Sequence, residues 1–194
     1  MSNVLRNVLG MRYKRVERVA IQTNTEASLV KRMASAKVLI TEMQKGKRIL
    51  NVDESWIGEL DFRRLRWRQR GASNTISAKN VTPRLTVIAA VDNFGGLYCS
   101  VAQANSDQDL FCLFLSHLVA KLSSEDPAWR SNTILLVDNA SWHHTEMVLN
   151  QLQLQGIDHI FLGPYGFKSA PIETFFSALK RTQMNPHHIS TAKR

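Results

Sequence analysis

The chain has 194 residues, 44% of them hydrophobic and 21% charged, which is enough apolar material for one domain and its core. No apolar run approaches the ~18 residues of a membrane span, and the opening MSNVLRNVLGMRYKRV lacks the apolar centre of a secretory signal. The formal net charge is +9 and it is uneven: residues 1–80 carry 17 Lys+Arg against 7 Asp+Glu, while residues 81–194 carry 8 against 9. A basic first half suits a polyanionic partner rather than a membrane. Cys99 and Cys112 form no disulfide framework and read as small core residues of a chain kept in a reducing compartment.

In chain order, residues 25–45 predict a helix with Leu29, Met33, Ala36, Val38 and Ile40 as a loose apolar stripe, ended by Gly46. Residues 48–53, RILNVD, predict a short strand closing on Asp53. In DFRRLRWRQRG an extended backbone would place Arg64, Arg66, Arg68 and Arg70 on one face and Leu65 and Trp67 on the other. Residues 85–92 and 97–102 predict a hairpin about the turn NFGG. A helix follows over 107–122, with Ser106 as its expected cap and Leu110, Phe111, Phe114, Leu115, Leu118 and Val119 at helical spacing. The buried strand ILLV at 134–137 runs into Asp138, a helix occupies about 145–155, a short strand 159–162, and a last helix 172–182. Three strands able to pair antiparallel, followed by αβαβα, predict a mixed α/β sheet flanked by helices. Nothing matches the Gly-rich phosphate cradles of nucleotide-binding folds, which removes that class of reading.

Two predicted strands thus end in aspartate, Asp53 and Asp138, and Glu173 opens the last helix. Each has an ordinary use as a cap or as an acid favoured by a helix N-terminus. Side by side, however, two carboxylates repel, and a divalent cation with hard oxygen ligands removes that cost. Two ions about 3.5–4 Å apart would form the arrangement that drives in-line attack on a phosphodiester.

The stretches N-V-D-E-S-W (51–56), V-D-N-A-S-W-H (137–143) and A-P-I-E-T-F-F-S-A-L-K (170–180) resemble the motifs of DDE transposases of the mariner superfamily, as does the spacing of 34 residues between Asp138 and Glu173. R-Y-K-R-V and the helix around Lys31 and Arg32 resemble that family's lead-in to its catalytic domain. The resemblance implies a ribonuclease-H-like fold at 47–183, a basic helical lead-in at 1–46, a clamp-like basic insertion at about 58–80 and a tail at 184–194. It implies Asp53, Asp138 and Glu173 as catalytic ligands of Mg²⁺ or Mn²⁺, two ions in number. DNA contacts are expected from Arg63, Arg64, Arg66, Arg68, Arg70, His143, Lys180 and Arg181. The implied partner is DNA, at transposon ends and target, with a homodimer or larger nucleoprotein assembly. The compartment would be the nucleus in a eukaryote, or the cytoplasm and nucleoid in a bacterium.

The third motif departs from the family's P-Y-S-P-x-x-N-P-I-E: Gly166 stands at the serine, the second proline is missing, and Ala170 replaces the asparagine. About 45 residues precede the first strand, too few for the family's helix-turn-helix region. Two other functions therefore stay open: a transposase-derived DNA-binding or assembly protein without catalysis, and a ribonuclease-H-type nuclease. Glu54 is expected on the strand face opposite Asp53, and the pairs His143–His144 and His187–His188 lack zinc-ligand spacing.

Overall fold

The structure is a computed structural model and describes residues 2–10, 21–58, 69–71, 85–166, 170–182 and 184. Helix α1 (Ser2–Asn7) and a 3₁₀ turn (Ile21–Asn24) precede α2 (Glu26–Gln44). Then come β1 (Arg48–Ile57), β2 (Leu85–Asp92), β3 (Leu97–Ala102), α3 (Gln108–Glu125), α4 (Trp129–Asn132) and β4 (Thr133–Val137). A second 3₁₀ turn (Ser141–His144), α5 (Glu146–Leu154), β5 (His159–Phe161) and α6 (Pro171–Arg181) complete the order.

The five strands form one sheet in the order β3-β2-β1-β4-β5. β1 pairs antiparallel with β2 and β2 with β3, whereas β4 runs parallel to β1 and β5 parallel to β4. This is the mixed sheet that the element order predicts. Its central strands are apolar on both faces because both are covered. One face buries Leu50, Val52, Ile88, Leu135 and Val137 under Phe111, Leu115 and Leu118 of α3 and Val148 and Leu152 of α5. The other buries Ile49, Val87, Ala89, Ile134 and Leu136 against Ile172 and Phe176 of α6. Among the described residues no helix is long and apolar enough to cross a membrane.

Four local expectations need correction. β1 does not end at Asp53 but continues to Ile57, because Glu54 to Ile57 find partners in Leu85 to Ile88 of β2. The N-cap of α3 is Asp107, whose carboxylate accepts the Leu110 N–H at 2.9 Å, and the hydroxyl of Ser106 is buried without a partner. The expected apolar stripe of α2 faces outward, with Leu29 48% and Ile40 54% exposed. Instead Ser28, Arg32, Ser35, Leu39 and Glu42 face the protein, because α2 docks by close backbone approach. Gly163, after β5, donates its N–H to Ser35 Oγ at 3.0 Å, and a Cβ there would stand 2.6 Å from Arg32 Cα. Finally, Cys99 is exposed, since it lies on the outward positions of edge strand β3.

Candidate active site

The register of the parallel pair builds the site. Val52 of β1 lies opposite Val137 of β4, so the next residues, Asp53 and Asp138, emerge side by side where β4 ends. Strand alternation puts Asp53 on the same face as Asn51, which is the face that α6 covers. The side chain of Asn51 is buried between three elements: its Nδ2 donates to the Leu136 carbonyl of β4 at 3.1 Å, and its Oδ1 accepts the Ile172 N–H of α6 at 3.1 Å. α6 starts with Pro171, whose fixed φ suits the first helical position, and carries Glu173, exposed, in its first turn.

Burial pushes the Asp53 carboxyl up to about 7, against a hydrogen bond from its neighbour's N–H, and the nearby charges of Asp138, Glu54 and Glu173 push the same way. Asp138 behaves oppositely. Burial raises it too, but hydrogen bonds from His143 and from the Ala140 N–H outweigh burial and hold it below its ordinary value. Both bonds fall on Oδ1, from His143 Nδ1 at 2.6 Å and Ala140 N–H at 3.0 Å.

His143 is fully buried against the ring of Phe111, with centroids 4.3 Å apart. Its other nitrogen, Nε2, stands 3.2 Å from Glu54 Oε1. Burial lowers the imidazole, but the bonds to Asp138 and Glu54 win and raise it to about 9. A ring so enclosed offers nothing to a nucleic acid directly; its contact with the site is through Asp138. Sequence reasoning set Glu54 aside because it faces away from Asp53. That orientation holds, and β1 lends Glu54 to the site by way of His143.

The other expected residues are placed as follows. Arg70 is exposed, and Lys180 and Arg181 occupy the last turn of α6, where the Arg181 guanidinium reaches Ser177 Oγ. Arg63, Arg64, Arg66 and Arg68, the clamp-like insertion apart from residues 58 and 69–71, and His187 and His188 lie outside the described residues. A cavity of about 360 Å³ opens beside Asp138, walled by Asn139, Ala140, Leu162, Gly163, Pro164, Tyr165 and Gly166. Tyr165 holds φ at 59°, a left-handed conformation uncommon for a bulky residue.

Among the described residues no three Asp, Glu, His or Cys side chains already meet in metal-binding geometry. Asp53 and Asp138 are adjacent, whereas Glu173 lies within electrostatic reach of Asp53 without closing on it. The donor set nevertheless fits a hard divalent cation: it is all oxygen, and the raised Asp53 marks a cost of burial and like charge that such an ion removes.

The fold also matches known structures. One is a Mos1 transposase paired-end complex with left transposon end, at a TM-score of 0.67 and 21% identity, covering 92% of this chain and 55% of that one. A Mos1 mariner paired end complex with Mn matches at 0.65 and 20%, covering 92% and 56%. The catalytic domain of Mos1 mariner transposase matches at 0.61 and 16%, covering 89% and 79%. The chain thus spans little more than half the length of the first of these proteins, and at such identities the likeness is one of fold. No curated protein matches the chain. The sequence model of the DDE superfamily endonuclease matches residues 48–194, from the first residue of β1 through all three acids. With the paired strand aspartates and the helix-borne glutamate inside that span, the chain belongs to the DDE superfamily endonucleases.

Proposed function

We propose that this chain is the metal-dependent catalytic domain of a DNA transposase, cleaving phosphodiesters at transposon ends and transferring the freed 3′-hydroxyl to target DNA. The observation that carries the reading is the adjacency of Asp53 and Asp138 on β1 and β4, with Glu173 on the helix that covers the same face. Asp53, Asp138 and Glu173 would hold Mg²⁺ or Mn²⁺, and two such ions supply the charge that activates an attacking water or hydroxyl and stabilises the departing oxygen. The solved Mn and Mg complexes of the Mos1 transposase support that choice of ions.

The protein's own share is positional. His143 and the Ala140 N–H fix Oδ1 of Asp138, so its carboxylate presents one rotamer to the site. The sheet holds Asp53 beside it, and burial of both strands keeps the pair from spreading. Arg70, Lys180 and Arg181, with the basic residues at 63–68, would bind the DNA backbone, where charge fixes register without reading sequence. DNA is the proposed partner, and a homodimer or larger nucleoprotein assembly the working form, in keeping with the paired-end complexes of the Mos1 protein.

Asp138→Asn tests the assignment. Mg²⁺-dependent nicking of duplex DNA is expected to fall by at least about 10³-fold while DNA binding is retained. Nicking that survives in the variant sinks the reading. The exposed position of Glu173, apart from the two aspartates, favours one second reading: a descendant that binds DNA without cutting it. In that case calorimetric titration with Mn²⁺ gives no binding that depends on the three acids.

A further inference from the structure

The first turn of a helix exposes N–H groups that need acceptors, and the N-cap side chain ordinarily supplies one. At α6 the N-cap is Ala170, which has backbone dihedrals suited to a cap (φ −87°, ψ 116°) but no side-chain oxygen, and no cap bond forms. The Ile172 N–H is satisfied from elsewhere, by Oδ1 of Asn51 on β1, 121 residues away in sequence. The same amide spends its N–H on the Leu136 carbonyl of β4. Asn51 is 2% exposed in a run of otherwise apolar core residues, where an unpaired amide would be costly. One side chain therefore ties together the strand of Asp53, the strand of Asp138 and the helix start that carries Glu173.

We propose that Asn51 is a positioning residue, supplying from β1 the helix cap that Ala170 cannot, and so setting where Glu173 stands relative to Asp53 and Asp138. The role rests on the reading of those three acids as metal ligands and goes beyond it by naming what holds the third in place. Ile172 and Glu173 are consecutive, so freeing the Ile172 N–H loosens the turn from which Glu173 projects. A helix end that frays there costs the site one ligand without touching the other two. The replacement of asparagine by alanine at position 170, a departure already plain in the motif, thereby finds its counterpart on the first strand.

Calorimetric titration of the chain with Mn²⁺, alongside thermal melting, tests this. Asn51→Leu keeps the branched outline of the side chain, with more bulk, and removes both bonds; its Mn²⁺ affinity is expected to fall by about 10–100-fold. In a Glu173→Gln background the same change is expected to have no further effect on affinity, because the ligand it positions is already gone. A purely structural amide would lower the melting temperature and weaken Mn²⁺ equally in both backgrounds, which overturns the proposal. Adding Ala170→Ser to Asn51→Leu returns an oxygen to the cap position and is expected to restore most of the affinity; no recovery also overturns it. Should Asn51→Leu fail to fold, hydrogen exchange on the unaltered chain decides: a protected Ile172 amide supports the proposal, and exchange at the rate of a frayed helix end refutes it. Wild-type protein that binds no Mn²⁺ removes the metal reading and this role together. Wild-type binding with an unchanged Asn51→Leu affinity removes this role alone.

Discussion

Burial, reinforced by its acidic neighbours, raises the Asp53 carboxyl to about 7. The native state therefore holds this proton more firmly than the unfolded chain, whose value is near 3.8. The group favours folding below 3.8, and that contribution is lost as the pH climbs through about 7. His143 adds a second loss, since its stabilisation is full below 6.5 and disappears as the pH rises through about 9. On the proposed reading of Asp53 as a ligand, a divalent ion displaces its proton, so Mn²⁺ is expected to raise the melting temperature much more at about pH 8 than at about pH 5.5. Asp53→Asn removes the buried charge: the metal-free protein should melt several degrees higher at about pH 8, and the Mn²⁺ shift should vanish. An Mn²⁺ shift that is the same at both pH values would mean that Asp53 is not a ligand. Of these residues the two aspartates stood out in sequence as acids after apolar runs; for Asp138 this marks the end of β4, whereas Asp53 lies inside β1 and reaches Asp138 through the register of the parallel pair. The link from Glu54 through His143 was not, because it depends on the 3₁₀ turn at Ser141–His144 folding back over β1.

Among the elements, the sheet and its covered faces were legible, whereas α2 was legible as a helix but not in the face it buries, and packing explains the difference. β2, β4 and α3 sit in the middle of the fold, where burial on a given face demands apolar residues at strand or helix spacing. α2 touches the rest of the molecule along one side only, with Leu39 the one apolar residue there among Ser28, Arg32, Ser35 and Glu42, so its remaining apolar positions carry no information about what it contacts. The information lies in Gly163, whose missing Cβ lets the Arg32 backbone approach. Gly163→Ala would force backbone against a methyl group at 2.6 Å from Arg32 Cα, a contact no rotamer can relieve. The expected cost is about 1–3 kcal/mol, read as a lowered midpoint in urea at unchanged slope. An unchanged midpoint would show that α2 does not pack on this loop. Because Gly163 also walls the cavity beside Asp138, the same variant should weaken Mn²⁺ binding less than it weakens folding, since no proposed ligand moves with α2.

Over the whole molecule the charge is divided rather than spread. The first 80 residues carry most of the basic excess, whereas the later part, with two of the three proposed ligands, is close to neutral. That division puts the charge able to neutralise phosphates mainly ahead of Asp138 and Glu173 in the chain. DNA affinity should then come from the first half as a polyelectrolyte effect, with counterions released as phosphates are neutralised. The logarithm of the binding constant is expected to fall linearly with the logarithm of salt concentration, by about 0.9 per phosphate contact. The residues at 63–70 hold five arginines, the densest basic run in the chain. Replacing Arg64, Arg66, Arg68 and Arg70 by alanine should make the slope shallower by about one unit for each arginine that contacts phosphate, and should weaken binding alike on unrelated DNA sequences. Mn²⁺ affinity, set by the three acids, should stay as it was. If the slope is unchanged, these arginines do not meet DNA, and the excess charge of the first half serves another contact. If the slope falls and the Mn²⁺ affinity falls with it, the basic segment and the metal site are coupled, and the division of labour between the two halves is wrong.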